Sequence, residues 1–229
     1  MKFIDLSHTI ADGTVTYPGL PLLRITDYIN HQTKDRYAEG TTFHIAKIEM
    51  VTNTGTYLDA PSHRYEGAED LAALELARVA DLEGIVVDAT EAMRIVDASF
   101  LLKCDVKEKA VLVRTGWSRH FGSEQYGKGH PYLTEGAAQL LVERGAALVG
   151  IDSVNIDDTA TGERPVHTTL LRAGIVIVEH LTNLAALPAS GFRFYAVPPK
   201  VRGAGSFPVR AFASISDQRS AISDQGGRA

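Results

Sequence analysis

The chain has 229 residues and a mass of 24.8 kDa, with 45% hydrophobic and 22% charged residues. That is enough for one ordinary soluble domain to bury most of its apolar surface without staples. A net charge of −5 from 23 basic and 28 acidic residues excludes a global basic footprint for nucleic acid, and the single cysteine, Cys104, excludes an internal disulfide framework or a Cys-rich zinc module. No apolar run approaches the ~20 residues that span a bilayer. The opening MKFIDLSHTIADG also lacks the apolar stretch of a signal peptide. The expected compartment is the cytoplasm, and the expected partner is a small molecule, not nucleic acid or a membrane.

Strand-like runs recur along the chain. In order they are Lys2 to Leu6, Leu22 to Ile29, Phe43 to Val51, Gly84 to Val87, Ala110 to Val113, Ala147 to Ile151, Ile175 to Val178, Phe192 to Val197 and Val209 to Ile215. Several are short, β-branched and unbroken by polar residues, the pattern of strands buried on both faces. Three helical segments are expected. One is Asp97 to Leu102. The next has Thr134 as N-cap, continues through Glu135, Ala138, Leu141 and Val142, and stops at Gly145. The third covers Thr168 to Arg172 and closes at Gly174. Helix, glycine, then buried strand occurs twice, from Leu141 to Gly150 and from Leu170 to Val178. This predicts an α/β protein with a central sheet covered by helices. No repeat or composition shift marks a boundary, so residues 1–215 read as one domain. Residues 216–229 carry Ser-Asp-Gln twice and end Gly-Gly-Arg-Ala; they read as a flexible tail or as an arm on a partner subunit.

Two clusters can carry chemistry. The first is Asn53-Thr-Gly-Thr-Tyr-Leu-Asp-Ala-Pro-Ser-His63. Gly55 and Pro61 fix a tight path, Asp59 offers hard oxygen ligands, and His63 offers a metal ligand or a base tuned near neutral pH. On spacing alone this stretch reads first as a polar turn between strand and helix. The second is Gly150-Ile-Asp-Ser-Val-Asn-Ile-Asp157, then His167, then Glu179-His-Leu-Thr-Asn183. Asp152 and Glu179 each follow a buried strand, where carboxylates often project into a cleft at one edge of an α/β sheet. The alternatives are that Asp152 holds a turn and Glu179 pairs with an arginine. His180 is expected to be structural. His8, His31, His44 and His120 read as structural or solvated, and nothing around Cys104 activates a thiol.

These clusters together resemble the cyclase family that includes bacterial kynurenine formamidases and isatin hydrolases. The resemblance runs through Asp5-Leu-Ser7, Tyr17-Pro-Gly19, the Gly55 to His63 segment, Val149-Gly-Ile-Asp152, His167, Val178-Glu-His-Leu-Thr-Asn-Leu184, Pro198-Pro-Lys200 and Pro208-Val-Arg-Ala211. It implies a swivelling β/β/α fold with a central mixed sheet and flanking helices, a homodimer or homotetramer, and hydrolysis of an amide or lactam by metal-bound water. The family's signature reads His-x-Gly-Thr-His-x-Asp-x-Pro-x-His. Here Asn53 and Tyr57 stand in the two imidazole positions, while Asp59, Pro61 and His63 match. The resemblance makes Asp59, His167 and Glu179 the remaining metal ligands and His63 the general base. It places Tyr17, Trp117 and His130, with Asn53, around the substrate.

The loss of two imidazoles has a chemical cost. An Asn carbonyl is a weak neutral donor, and Tyr ligates well only as phenolate, with an ordinary pKa of about 10. One divalent cation, zinc or manganese, is expected on the residual ligands, or none. The leading expectation is a hydrolase of a C–N or C–O bond with His63 as base. The alternatives are a metal-independent lyase, dehydratase or isomerase using Tyr57 and His63 as an acid–base pair, and a non-catalytic binding relative. Retention of Asp59, His63, His167 and Glu179 together argues against simple decay.

Overall fold

The computed structural model describes residues 1–17, 19–33 and 36–216. Pro18 and all but the first residue of the expected tail lie outside them. In chain order the strands are β1 (Lys2–Asp5), β2 (Arg24–Ile29), β3 (Ile45–Glu49), β4 (Tyr57–Asp59), β5 (Leu82–Asp88), β6 (Ile95–Val96), β7 (Ala110–Arg114), β8 (Tyr132–Leu133), β9 (Leu148–Ile151), β10 (Val176–Glu179), β11 (Ser190–Tyr195), β12 (Ser206–Pro208) and β13 (Phe212–Ile215). The α-helices are α1 (Glu135–Glu143) and α2 (Pro165–Arg172).

The main sheet has the order β1-β13-β11-β5-β7-β9-β10-β4-β12. Its middle, β5-β7-β9-β10, is parallel, and antiparallel strands extend it on both sides. The parallel strands are the unbroken apolar runs, and β9 and β10 are buried at every position. Each face of the sheet carries its own core. On one face Val111, Val113, Val149, Ile151 and Ile177 meet Ala137, Ala138 and Leu141 of α1 and Val166, Leu170 and Leu171 of α2. On the other, Leu58, Leu112, Leu148, Val176 and Val178 meet Leu6, Leu181, Phe192 and Phe194. This is the mixed α/β architecture expected from the sequence. Among the described residues no helix is long and apolar enough to cross a membrane.

The expected helix starts hold in one case and shift in another. Thr134 caps α1, its hydroxyl accepting from the Ala137 N–H at 3.2 Å, and Gly145 ends it at φ +72°. Helix α2 begins at Pro165, three residues before the expected Thr168. Proline presets φ for the first helical position. The Asp157 carboxylate, eight residues upstream, accepts from the N–H groups of Val166 (2.7 Å) and His167 (3.0 Å). A carboxylate from another segment thus supplies the cap, with its charge at the positive end of the helix. The segment expected as a helix after Asp97 is a single 3-10 turn, Ala98–Leu101. Strands β2 and β3 form a separate hairpin whose residues are exposed except for Ile29.

Candidate active site

Strand alternation builds the site. In the antiparallel β4–β10 register Tyr57 stands opposite Glu179 and Asp59 opposite Ile177. Leu58 and Val178, the residues between, pack into the core of the far face, so Tyr57, Asp59 and Glu179 share the face that α2 covers. The first turn of α2 brings His167 onto that face, and the 3-10 turn Pro61–His63 directly after β4 brings His63. Gly205 lets this turn seat. A Cβ there would lie 2.5 Å from the His63 nitrogen and 2.6 Å from its Cα, and the Gly205 carbonyl accepts from Ala60 N at 2.7 Å.

The buried groups are unequally satisfied. Glu179 has both oxygens engaged: Oε2 accepts from the Tyr57 hydroxyl at 2.5 Å and Oε1 from Ile156 N at 2.6 Å. His167 donates from Nδ1 to Asp157 Oδ2 at 2.6 Å, which turns Nε2 toward Asp59 Oδ2 and Glu179 Oε1, each 3.7 Å away. His63 Nδ1 stands 3.6 Å from Asp59 Oδ1. These separations exceed hydrogen-bond length. Asp59 is therefore fully buried with both carboxylate oxygens unpartnered. Its ligand atom and those of His63 and His167 lie within 4.8 Å of one another.

The electrostatics follow from burial and crowding. Burial alone would depress the His167 imidazole, but Glu179, Asp157 and Asp59 outweigh it and hold it up at about 10. Burial, then the Asp59 charge, raises the Glu179 carboxyl to about 7 against the pull of His167. Tyr57 is pushed well above its ordinary value by burial and by Glu179 and Asp59. Asn53 works the other way; its carbonyl accepts from Ser206 Oγ at 3.0 Å.

Five of the residues singled out from the sequence thus converge, Tyr57, Asp59, His63, His167 and Glu179, with Asn53 behind Tyr57. Three others make contacts of their own. His130 is buried, with both ring nitrogens engaged, Nδ1 by Pro131 O at 3.1 Å and Nε2 by Thr159 Oγ1 at 3.0 Å. Trp117 donates from Nε1 to Tyr126 O at 2.8 Å. Tyr17 follows Thr16, whose hydroxyl accepts from Gly55 N at 2.7 Å, so its segment lies along the Asn53–Thr56 stretch. Asp152 holds a turn, accepting from the N–H groups of Thr115 and Gly116. Asp157, absent from the sequence-derived candidates, orients His167. The one available signal was a carboxylate shortly before a Pro-initiated helix.

The donor set fits a divalent cation. A carboxylate taken from water without a partner is costly, and a cation between Asp59, His63 and His167 would remove that cost. Tetrahedral zinc with N and O ligands places donor atoms ~3.4 Å apart, close to the 3.6 and 3.7 Å found here. The Asp157–His167 hydrogen bond is the outer partner a ligating imidazole needs.

The fold and this face of β4 and β10 define a class of α/β protein with a histidine–carboxylate centre at one end of a mixed sheet. A model of the Cyclase family, described as "Putative cyclase", matches residues 4–158, well over half of the sequence. The chain belongs to that family. A kynurenine formamidase of Bacillus cereus is 26% identical over 219 residues, covering 92% of this chain and 96% of that protein. A solved structure described as a potential metal-dependent hydrolase with cyclase activity is 26% identical with a TM-score of 0.76, covering 93% of this chain and 96% of the other. Isatin hydrolase A from Labrenzia aggregata shares the fold, with a TM-score of 0.80 at 22% identity and 93% of each chain covered.

Proposed function

We propose that the chain is a small-molecule hydrolase that opens an amide, lactam or related C–N or C–O bond. The observation that carries this is the fully buried, unpartnered Asp59 carboxylate facing His63 and His167. The names borne by the relatives, kynurenine formamidase and metal-dependent hydrolase, support it.

His63 is the general base in this reading. Its side chain is 33% exposed, against 0% for Asp59 and 5% for His167, so it is the member of the trio that water and substrate reach. With Nδ1 turned to Asp59, Nε2 faces outward to take a proton from the attacking water. Asp59 orients the ring and stabilises the imidazolium that forms. His167, held by Asp157, brings positive charge to the carboxylates and to the oxyanion that develops above them. Tyr57 holds Glu179 through its short hydrogen bond. That proton is committed to Glu179 and not to substrate, which favours hydrolysis over a lyase or isomerase in which Tyr57 and His63 act as a pair. Asp59, His63 and His167 would hold one divalent cation, zinc or manganese, which supplies an activated water and positive charge when bound; both imidazoles then ligate as neutral rings, so the base role of His63 and the positive charge of His167 belong to the cation-free state. The engaged oxygens of Glu179 favour His63 over Glu179 as its third ligand.

The test is turnover of N-formyl arylamines and of an isatin-type lactam, with metal content measured on the same sample. His63→Gln is expected to lower kcat/KM by about 10²-fold or more, the scale of losing a general base. Turnover unchanged by His63→Gln, or no hydrolysis in either substrate series with and without added zinc or manganese, refutes the reading.

A further inference from the structure

The turn that carries His63 and the helix that carries His167 are joined a second time, one residue further along each. Arg64 donates from Nε to Thr168 Oγ1 at 3.2 Å, and the Tyr65 hydroxyl donates to Thr168 O at 2.8 Å. Arg172, in the last turn of α2, donates from Nε to the Tyr65 hydroxyl at 3.2 Å. Both guanidinium groups thereby stand by one ring: Arg64 Cζ lies 5.4 Å and Arg172 Cζ 5.6 Å from the centre of Tyr65. The ring itself packs against the core on the α2 face. Each arginine is thus held through Nε and an aromatic ring, with both terminal nitrogens left over. Among the described residues neither has a carboxylate within ion-pair distance. Other arginines commit those nitrogens, Arg78, Arg94 and Arg210 to carboxylates, Arg144 and Arg164 to backbone carbonyls. In a chain of net charge −5, two cations side by side with no acid between them mark a place for an anion.

We propose that Arg64 and Arg172 bind a carboxylate of the substrate, at the rim of the catalytic site and away from the bond that is broken. This rests on the reading of the site as a hydrolase pocket and adds which end of the substrate faces outward. Position supports it. Arg64 follows His63, the exposed member of the trio, and Thr168 follows His167; the centres of the two imidazole rings are 5.9 Å apart. The free guanidinium forks therefore sit one residue outside the catalytic rings, on side chains exposed to solvent. Charge supports it too. The interior holds Asp59, Asp157 and Glu179, all buried, so a further carboxylate is disfavoured there and favoured at the rim. A guanidinium whose Nε is already engaged presents its two terminal nitrogens as parallel donors, the arrangement that takes a planar carboxylate in bidentate fashion. Both side chains are pinned before the anion arrives, so little freedom is lost on binding. The substrate class is an organic acid with its amide or lactam carbonyl directed toward His63 and its acid group held outside.

The test compares a (formamidophenyl)propanoate with its methyl ester, which lacks the charge at the far end. The acid is expected to be preferred by about 10-fold or more in kcat/KM, through KM and not kcat. Arg64→Gln and Arg172→Gln should each remove most of that preference, and high salt should shrink it. Arg172→Lys, which keeps the charge without the fork, should retain only part of it. Lys2→Gln, at the opposite edge of the main sheet, makes the same change in net charge and should leave the preference intact. Circular dichroism checks that the variants fold. Binding separates this inference from the hydrolase reading. By calorimetry, phenylpropanoate should bind the unmodified protein about 10-fold or more tightly than its primary amide, and lose that advantage in either glutamine variant, whether or not any substrate is turned over. Arginine-dependent binding without hydrolysis would strike the hydrolase reading alone. Hydrolysis of acid and ester with equal KM, a preference indifferent to both arginines, or equal binding of phenylpropanoate and its amide overturns the inference and leaves the hydrolase reading standing.

Discussion

Asp59 and Glu179 lie on the same face of adjacent strands and are both fully buried, yet their surroundings differ in kind. Glu179 receives two donors, from Tyr57 and Ile156; Asp59 receives none. A buried carboxylate without hydrogen-bond donors costs stability that the His167 charge 3.7 Å away offsets only in part, and a group retained at that cost is ordinarily functional. Asp59→Asn removes the charge while keeping the shape. His167 keeps its hydrogen bond to Asp157 and its proximity to Glu179. In metal-free protein the substitution should raise stability by about 1 kcal/mol or more, seen as a Tm increase of roughly 2–4 °C, while turnover is lost. A destabilised Asp59→Asn protein would show that the carboxylate is paid for structurally, by attraction to His167, and that its unpartnered state is no mark of function.

At the scale of elements, the site depends on how closely β12 and its flanking residues approach the turn that carries His63. Gly205 faces the His63 backbone, which cannot yield as a flexible side chain would. Gly205→Ala should displace the turn, cost about 1–3 kcal/mol as overpacking does, and lower kcat by about 10-fold or more through misplacement of the base. Gly203→Ala is the control. Gly203 has φ +80° but open space around it, so its substitution should cost stability through backbone strain and leave kcat unchanged. Equal kcat for the two variants would detach Gly205 from the site. The same elements show how far the sequence was legible. The parallel strands were, because they are buried on both faces and read as unbroken apolar runs. Strand β4 was not, since its three residues between Gly55 and Pro61 carry no period and are a strand only because β10 and β12 flank them. Asp59, His63, His167 and Glu179 were legible through resemblance to the family's motif, since spacing alone leaves the first stretch a polar turn and the second open. Asp157 and Gly205 act on a helix terminus and a turn brought close by the fold; a carboxylate before a Pro-initiated helix is the one faint local mark of Asp157, and nothing local marks Gly205.

For the whole molecule, the buried histidines set the response to acid. His180 is fully buried at φ +56°, with Nδ1 against the Tyr126 hydroxyl at 2.8 Å and Nε2 unpartnered. Burial first, then the neighbouring His8 and His130, lowers it to about 3. Burial lowers His8 to about 4. Both rings are neutral in the folded protein near neutrality and take protons at the ordinary histidine value of 6.5 when unfolded. Below pH 6.5 the unfolded chain therefore binds more protons at these sites, and stability falls with pH. Glu179 acts oppositely. Raised from 4.5 to about 7, it takes its proton in the folded state first, which favours folding as pH drops through that window. Between pH 6.5 and 4.5 His180 and Glu179 nearly cancel, leaving the one-proton slope of His8, about 1.4 kcal/mol per pH unit, to which His130, also lowered by burial, adds. Below pH 4.5 Glu179 is protonated in both states and the histidines act unopposed. Urea unfolding followed from pH 7 to pH 3.5 should show this break, the slope steepening below pH 4.5 from one proton, about 1.4 kcal/mol per pH unit, toward two, until His8 is itself protonated in the folded state near pH 4. His180→Gln, which cannot titrate, should flatten the lower limb by about that amount. A slope that is uniform through pH 4.5, or unaltered in His180→Gln, would show that other groups govern the acid limb.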